Sequence, residues 1–333
     1  MAVRLKDIAR DLGVSVVTVS KVLRNHTDIG EETRQRVMQR VRELDYRPNF
    51  AARALITGRT YTMGLIVPDL LHPFFAQIAM ALSGVLRQKN YGVLIASSEE
   101  DPELERQEIA QLEARGVDAI LIASAQSTVE SFRRLEEQGT PYVLIDRQFD
   151  GLAANFAGSD DVAAGRLATA HLIEQGCRRI AHIRGPQVST GIGRLEGYRQ
   201  ALAGTLPEDV VEAGPSGDNR GEAGGYDAAR KLLDRDTPPD GIFCFNDPVA
   251  MGVMQAVLDR GLRIPEDVAI VGCGNVLYSA FLRVPLSTVE QNSAQIGIDA
   301  GNLALALVES RDPGPPRIAE PTLVARASSV RSC

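Results

Sequence analysis

The chain has 333 residues, of which 44% are hydrophobic and 24% charged, and its net charge is −7. This is the composition of a globular protein with room for about two domains of roughly 150 residues each, and the acidic balance taken alone argues against nucleic acid as the main partner. The average conceals a division, because residues 1–60 carry a net charge of +5 and the remainder −12. A basic head on an acidic body predicts two parts with different partners.

Several classes of protein are disfavoured by local patterns. The opening residues, MAVRLKDIARDLG, lack the apolar segment of a secretory signal, and no run of about 18 apolar residues suggests a membrane span. The cysteines have no C-x-x-C spacing typical of zinc or redox sites, and they stand at Cys177, Cys244, Cys273 and Cys333. We therefore expect a cytoplasmic, nucleoid-associated protein with reduced thiols and with no metal, cofactor or membrane contact.

The head of the chain predicts a helix-turn-helix. Apolar residues recur at helical spacing over 5–12, Gly13 offers a turn, and Ser15 can cap a second short helix over 16–24. A third helix is indicated over 31–44. Two short helices joined by a glycine-containing turn are typical of DNA-binding proteins.

The segments LKDIARDLGVSVVTVSKVL, EETRQRV and ELDYRPNFAARAL resemble the lactose-repressor/galactose-repressor (LacI/GalR) family of transcription regulators. Order and spacing agree over about 55 residues. The alternative is a generic three-helix bundle. The resemblance implies a DNA-reading headpiece over 1–48.

This resemblance places Val16 and Val17 at the base-reading positions, with Lys21 one turn later, and short polar groups suited to phosphate contacts stand at Thr18, Ser20 and Asn25. The two valines would read bases by packing on thymine methyl groups, and Lys21 would donate to guanine. The short polar side chains would bind phosphates. Alternatively, the valines pack inside the bundle and Lys21 is an ordinary surface charge.

Residues 49–60 are expected to form a hinge. Asn49 can cap a short helix, which would be marginal in water until packed against something. In the resembled family this helix enters the minor groove, where Asn49, Ala52 and Leu55 would touch DNA and Leu55 would act as an apolar wedge. A plain linker is the alternative.

The body alternates short apolar runs with amphipathic stretches. The runs that predict strands are TMGLIVPD, YGVLIASS, VDAILIAS, PYVLID, RIAHIRG, GIFCFND and VAIVGCG. Strands alternating with helices predict parallel sheets, in numbers sufficient for two doubly wound lobes. The fold class expected is thus an all-α headpiece followed by an α/β core. The resemblance implies a core like a periplasmic binding protein, with lobes 61–160 plus 290–320 and 161–289 plus 321–333.

An effector cleft is expected between the lobes, at the carboxyl ends of their strands. Strand-end positions and the resemblance together give the candidates Phe74, Phe75, Asp146, Arg147, Asp160, Thr190, Arg194, Arg220, Asn246, Asp247 and Asn275. Arg194, in STGIGR, is the leading candidate because a guanidinium gives forked donors to hydroxyls or carboxylate. For the others, core packing, helix capping or surface ion pairs are the competing roles.

One departure from the family pattern concerns charge. Many members end the VGxD strand with an acid, whereas here Gly274 stands at that place and Asn275 follows. Arg147, Arg194 and Arg220 then look poorly balanced. This suggests an acidic or phosphorylated sugar derivative as effector.

Two other classes of function compete with this interpretation. GIGRLEG resembles a dinucleotide-binding G-x-G pattern, with Glu212 lying 21 residues beyond Gly191, but PQVST separates it from the preceding strand run. A stand-alone sugar-binding protein would have no use for the basic head. We therefore expect a non-enzymatic bacterial regulator, a repressor. It would bind a pseudo-palindromic operator as a homodimer, and a sugar, sugar acid or sugar phosphate would release or tighten it.

Overall fold

The computed structural model describes residues 3–23, 28–46, 54, 58–149, 151–152, 155–213 and 221–331. Its contacts divide the chain into two units, Met1–Thr60 and Tyr61–Cys333.

The first unit contains the helices α1 (Leu5–Leu12), α2 (Val16–Leu23) and α3 (Glu31–Glu43). α1 ends where Gly13 adopts a left-handed φ of 65°, a conformation that glycine tolerates without strain. The Ser15 hydroxyl accepts a 3.0 Å hydrogen bond from the Thr18 N–H and so caps α2. The helices enclose a small apolar core of Ile8, Ala9, Val19, Val22 and Val37. The expected three-helix headpiece is confirmed.

The second unit begins with one doubly wound sheet. Its elements are β1 (Thr62–Val67), α4 (Pro73–Gln88), β2 (Gly92–Ser97), α5 (Pro102–Ala114), β3 (Ala119–Ile122), α6 (Glu130–Gln138), β4 (Tyr142–Ile145) and β5 (Phe156–Ser159). The spatial strand order is β11-β5-β4-β3-β1-β2, where β11 is Arg317–Ala319 from near the end of the chain, and every pair is parallel. We call this sheet and its helices the first lobe.

A second sheet repeats the arrangement. It follows with α7 (Asp161–Glu174), β6 (Ile180–Arg184), α8 (Ser189–Leu202), β7 (Val210–Glu212), α9 (Glu222–Leu233), β8 (Gly241–Cys244), α10 (Asp247–Asp259), β9 (Ala269–Cys273), a short 3-10 turn (Ser279–Phe281), β10 (Ser287–Glu290), α11 (Ser293–Val308) and β12 (Thr322–Val324). The order is β12-β10-β9-β8-β6-β7, and the β10–β12 pair is antiparallel. We call this sheet, with α7 to α10, the second lobe, since α11 packs on α4 in the first.

The strands are apolar because both faces of each sheet are covered by helices. β3 and β4 are buried at every residue, which is why their continuous apolar runs were readable from sequence. Each sheet therefore has a core on both of its faces.

The chain passes between the lobes at three places, after β5, after β10 and after β11. The crossings after β5 and β11 are joined by a 3.2 Å hydrogen bond from the Asp160 N–H to the Ala319 carbonyl, and those after β10 and β11 by a 2.7 Å hydrogen bond from the Asn292 side-chain amide to the Glu320 carbonyl. The three crossings are thus tied to one another. Such a set of crossings forms a hinge about which lobes rotate.

The glycines of GIGRLEG lie inside α8, so they do not form a strand-to-helix phosphate loop. A Cβ on Gly197 would lie 2.0 Å from the Val162 carbonyl oxygen, and one on Gly165 would lie 2.1 Å from that of Arg194. These glycines allow α7 and α8 to approach backbone to backbone. Close helix packing therefore accounts for Gly197, the last glycine of the motif that suggested a dinucleotide site.

The described cysteines Cys177, Cys244 and Cys273 are buried free thiols, and Cys333 lies outside the described residues. Within the described ranges no group of three or more His, Cys, Asp or Glu residues is placed to hold a metal ion. No helix in that same part of the chain is long and apolar enough to cross a membrane.

Candidate functional site

The second helix of the head presents its N-terminal valines to solvent. Val16 is 44% exposed and Val17 is 64% exposed, whereas Val19 and Val22 fill the bundle core. Val19 and Val22 are three positions apart, so they lie on the same side of α2, the side that faces the other helices. The apolar pair at the start of α2 is therefore available for contact with a base edge.

Polar groups on α2 are held by local contacts. Lys21 forms an ion pair with Asp28, and the Thr18 hydroxyl lies 2.9 Å from that of Ser15. Both members of the Lys21 pair are well exposed, and such pairs contribute little to stability. Lys21 can therefore exchange Asp28 for another partner at small cost.

The remaining predicted DNA-binding residues differ in whether the structure describes them. Ser20, on α2, is half-buried. Asn25, Asn49, Ala52 and Leu55 lie outside the described residues.

A cleft of about 450 Å³ opens in the second unit where the carboxyl ends of strands from both lobes meet. That volume falls within the roughly 300–1,000 Å³ typical of small-molecule sites. Seven of the predicted effector residues line it together: Phe74, Phe75, Asp146, Arg147, Thr190, Arg194 and Asn246. They come from sequence positions up to about 170 residues apart, and the two sheets bring them to one place.

Asp146 reaches the cleft on an unusual turn at the end of β4. The Arg147 N–H donates to the Ile145 carbonyl at 2.6 Å, and Asp146 between them has φ +64°. This is the classic γ-turn geometry, which is rare and strained for a residue with a side chain. Burial raises the pKa of the Asp146 carboxyl, against the opposing effect of the nearby Arg194 and Arg147 guanidinium groups.

Arg194 lies on α8, and three contacts with other elements hold its side chain in place. Its Nε donates to Asp161 Oδ1 at 2.9 Å, its NH1 donates to the Phe245 carbonyl at 2.8 Å, and its guanidinium lies 4.6 Å from the centre of the Phe245 ring. Burial raises the pKa of Asp161, and the Arg194 charge opposes that effect. A guanidinium held in this way is pre-oriented for a ligand.

Arg147 is held just as firmly on the other lobe. Its NH1 and NH2 donate to the two carboxylate oxygens of Glu100 at 2.7 and 2.6 Å, and NH1 also reaches the Ser124 carbonyl at 2.9 Å. The expectation that the arginines of the cleft are poorly balanced is therefore wrong for Arg147 and Arg194, since each has its own carboxylate. The charge argument for an acidic effector loses its basis.

The aromatic wall of the cleft is capped by a histidine. His72 Nδ1 accepts a 3.3 Å hydrogen bond from the Phe74 N–H and so caps α4. Burial lowers the pKa of His72 to about 4. Its ring is therefore neutral at pH 7, with the proton on Nε2. Phe74 and Phe75 pack edge-to-face, with centroids 5.2 Å apart, and belong both to the core and to the cleft surface.

Three predicted effector residues are engaged elsewhere among the described residues. Asp160 caps α7 by accepting from the Ala163 N–H at 2.9 Å. Asp247 is fully buried and binds Thr288 Oγ1 and the Val276 N–H at 2.6 and 2.8 Å. Asn275 is bonded to Glu290 and Arg326 near the hinge.

Asn246 keeps its place in the cleft although its Oδ1 caps α10 by accepting from the Val249 N–H at 2.9 Å. Arg220 lies outside the described residues.

Several residues of the cleft were not predicted, chief among them Asp69, His72, Glu100, Glu212, Phe245 and Gln291. Asp69 and His72 follow β1 and Phe245 follows β8, so the rule that ligands bind at carboxyl ends of strands was enough to find them. Gln291 follows β10, a strand whose sequence STVE gives no strong apolar signal. The role of Glu100 depends on a contact 47 residues away, which no local pattern reveals.

Two family models match the chain. "Bacterial regulatory proteins, lacI family" matches residues 4–49, and "Periplasmic binding proteins and sugar binding domain of LacI family" matches residues 60–318. Together they cover the DNA-reading head and the cleft-bearing unit.

Individual proteins agree over nearly the whole length. The regulator GalR of Escherichia coli is 34% identical over 328 residues, covering 97% of this chain and 95% of its own. The ribose operon repressor of Halalkalibacterium halodurans is 32% identical over 308 residues, covering 92% and 91%. The solved structure of a complex of the regulator CelR with cellobiose is 29% identical, covers 98% of this chain and 99% of its own, and superposes with a TM-score of 0.73.

Proposed function

This chain belongs to the LacI family of bacterial regulatory proteins, and from that premise we propose that it is a repressor whose operator affinity is set by a small sugar in its cleft. Its relatives are transcriptional regulators, and the chain is a DNA-binding regulator rather than an enzyme. The matched DNA-reading head also sets it apart from a stand-alone sugar-binding protein.

Operator reading is assigned to the start of α2. Val16 and Val17 would pack on thymine methyl groups and Lys21 would leave Asp28 to donate to guanine O6 or N7. Thr18, Ser20 and Asn25 would bind phosphates, and Asn49, Ala52 and Leu55 would enter the minor groove. The exposure of the two valines is what supports this assignment.

The observation that carries the effector proposal is the cleft itself. Ionisable and aromatic side chains from both lobes converge there, and the three chain crossings beside it can transmit a change in lobe angle. Relatives named for ribose and cellobiose point to a carbohydrate. Effector and operator must then affect each other's binding equally, whichever sign the coupling has.

A homodimer is the form that would read a pseudo-palindromic operator, since two heads meet two half-sites. Large apolar side chains lie exposed on both lobes, including Met80 and Ile95 on the first and Leu277 and Phe281 on the second. Exposed apolar groups of this kind mark association surfaces. We propose that a second copy of the chain covers them, and that the dimer acts on the chromosome in the cytoplasm.

The domain boundaries stay predictions: 1–48 for the head, 49–60 for the hinge, and 61–160 plus 290–320 and 161–289 plus 321–333 for the lobes.

The proposal is tested by selecting fragments of the source genome on the purified full-length protein. A near-palindromic consensus whose binding responds to a sugar would support it. Selection of no shared sequence would contradict it. Uniform affinity for all fragments would also contradict it, because phosphate contacts alone carry no sequence information.

A further inference from the structure

We infer that Glu100 sets the charge preference of the cleft: by occupying the guanidinium of Arg147 it makes the site refuse anions and accept neutral, hydroxyl-bearing ligands. The inference rests on the proposed function in so far as the cleft is the effector site. It adds a residue that determines the class of ligand.

The first observation is the completeness of the ion pair. Both terminal nitrogens of Arg147 donate to Glu100, at 2.7 and 2.6 Å, and NH1 is shared with the Ser124 carbonyl at 2.9 Å. The Arg147 side chain is only 7% exposed, whereas the Glu100 side chain is 37% exposed. The forked face that would bind a carboxylate or phosphate is therefore already taken.

The second observation is that the backbone holds Glu100 in place. Glu99 and Glu100 both adopt left-handed φ values, +51° and +58°, which are uncommon for residues with a side chain. Immediately afterwards the Asp101 side chain caps α5 by accepting from the Glu103 N–H at 2.7 Å. The carboxylate that meets Arg147 therefore comes from a turn with a fixed conformation.

The third observation is a pair of buried donors that belong to residues lining the cleft. Arg147 Nε and Gln291 Nε2 are buried and have no hydrogen-bond partner among the described residues, and both residues line the cleft. A buried donor without a partner is costly, so a ligand oxygen would be favoured there. A neutral hydroxyl oxygen can accept from a single N–H, so it does not need the two terminal nitrogens of Arg147 that already donate to Glu100.

The remaining charges act in the same direction. Asp69 and Asp146 line the cleft, as does Glu212, which is paired with Arg184 at 2.9 Å, and Arg194 is bonded to Asp161. His72 carries no compensating charge, since burial keeps it neutral. An anion entering the cleft would therefore meet carboxylates and two arginines that already have partners.

Inorganic phosphate is the probe that tests this without knowledge of the effector. Binding would be followed by calorimetry and by thermal unfolding on the full-length protein, with sodium chloride at matched ionic strength. In Glu100→Gln the fork of Arg147 loses its charged partner and one of its two acceptors, so we expect phosphate to bind at least tenfold more tightly than to the unmodified protein. The gain should vanish in the double variant Glu100→Gln/Arg147→Met.

Asp69→Asn is the matched control, because it removes the same charge from the same cleft and its amide oxygen can still accept from the Leu71 N–H. It should gain no phosphate binding. If Glu100→Gln does not fold, Glu100→Ala lets water reach Arg147 and should show the same gain. Equal phosphate binding by the unmodified protein and the Glu100 variant would overturn the inference.

The two proposals fail separately. A gain of phosphate binding confined to the Glu100 variants supports the role of Glu100, whether or not a sugar changes operator affinity. If no sugar changes operator affinity, that finding counts against the regulatory function alone. Conversely, an effector that proves to be a sugar acid or sugar phosphate bound through Arg147 would leave the regulator intact and overturn the role of Glu100.

Discussion

Arg194 and Asp161 form a buried ion pair in which Nε and Oδ1 are 2.9 Å apart and the side chains are 4% and 11% exposed. Asp161 is the first residue of α7, directly after the chain crosses from the first lobe to the second. A ligand that binds Arg194 is thereby connected to a hinge crossing. This connection gives the cleft a physical route to the lobe angle.

Replacing Arg194 by alanine should abolish the effector response while operator affinity is retained. It should also lower the free energy of unfolding by about 3–5 kcal/mol, because Asp161 is left buried and unpaired. The double variant Arg194→Met/Asp161→Asn should recover much of that stability and still not respond. Urea unfolding and operator fluorescence anisotropy measure the two effects. An intact effector response in either variant would remove Arg194 from the site.

Replacing Lys21 by alanine should relax operator specificity at one base pair by about 1–3 kcal/mol. The reason is that the Lys21 ammonium is the charged donor proposed to meet a guanine edge. The measurement is a set of single-base operator variants titrated with both proteins at one salt concentration. An equal loss on every sequence would mean that Lys21 touches only phosphate.

Val17→Ala and Val19→Ala should separate base reading from core packing. Val17 is exposed, so its truncation should change stability by less than about 0.5 kcal/mol but weaken operator binding. Val19 is fully buried, so its truncation should cost the head about 2 kcal/mol. Thermal unfolding and operator titration would be run in parallel. Unchanged operator affinity for Val17→Ala would contradict its assigned role.

His182 should make stability depend on pH. It stacks against Phe243 and Tyr198 with ring centroids 4.5 and 5.3 Å apart, and burial lowers its pKa to about 3. An unfolded chain has a histidine pKa near 6.5, so the unfolded state takes up a proton that the folded state refuses. The contribution of neutral His182 to the free energy of unfolding is therefore complete above about pH 6.5. It falls as the pH falls, and about 2 kcal/mol of it is lost at pH 5.

The variant His182→Phe isolates that contribution, because phenylalanine can stack in the same place and does not titrate. Acids with raised pKa, such as Asp247 at about 6, act in the opposite sense and are common to both proteins. The difference between the two unfolding curves at pH 7 and pH 5 is therefore the quantity to measure. Parallel losses in both proteins would exclude His182 as the source.

The sequence was sufficient for the architecture because parallel strands buried on both faces read as continuous apolar runs, as AILI in β3 and YVLI in β4 do. The sequence did not predict which side chains of the cleft pair with one another. Asp160 and Asp161 are adjacent carboxylates, and only the packing of α7 against α8 decides that Asp160 caps a helix while Asp161 binds Arg194. The pairing of Glu100 with Arg147 likewise depends on two strand ends being brought together.

The most direct test of the central claim is the affinity of the selected operator, by fluorescence anisotropy, with and without a panel of neutral sugars that includes ribose and cellobiose. The account predicts that at least one sugar changes the operator affinity of the unmodified protein tenfold or more and leaves that of Arg194→Ala unchanged. A sugar that calorimetry shows to bind the cleft, yet that leaves operator affinity the same, would contradict it.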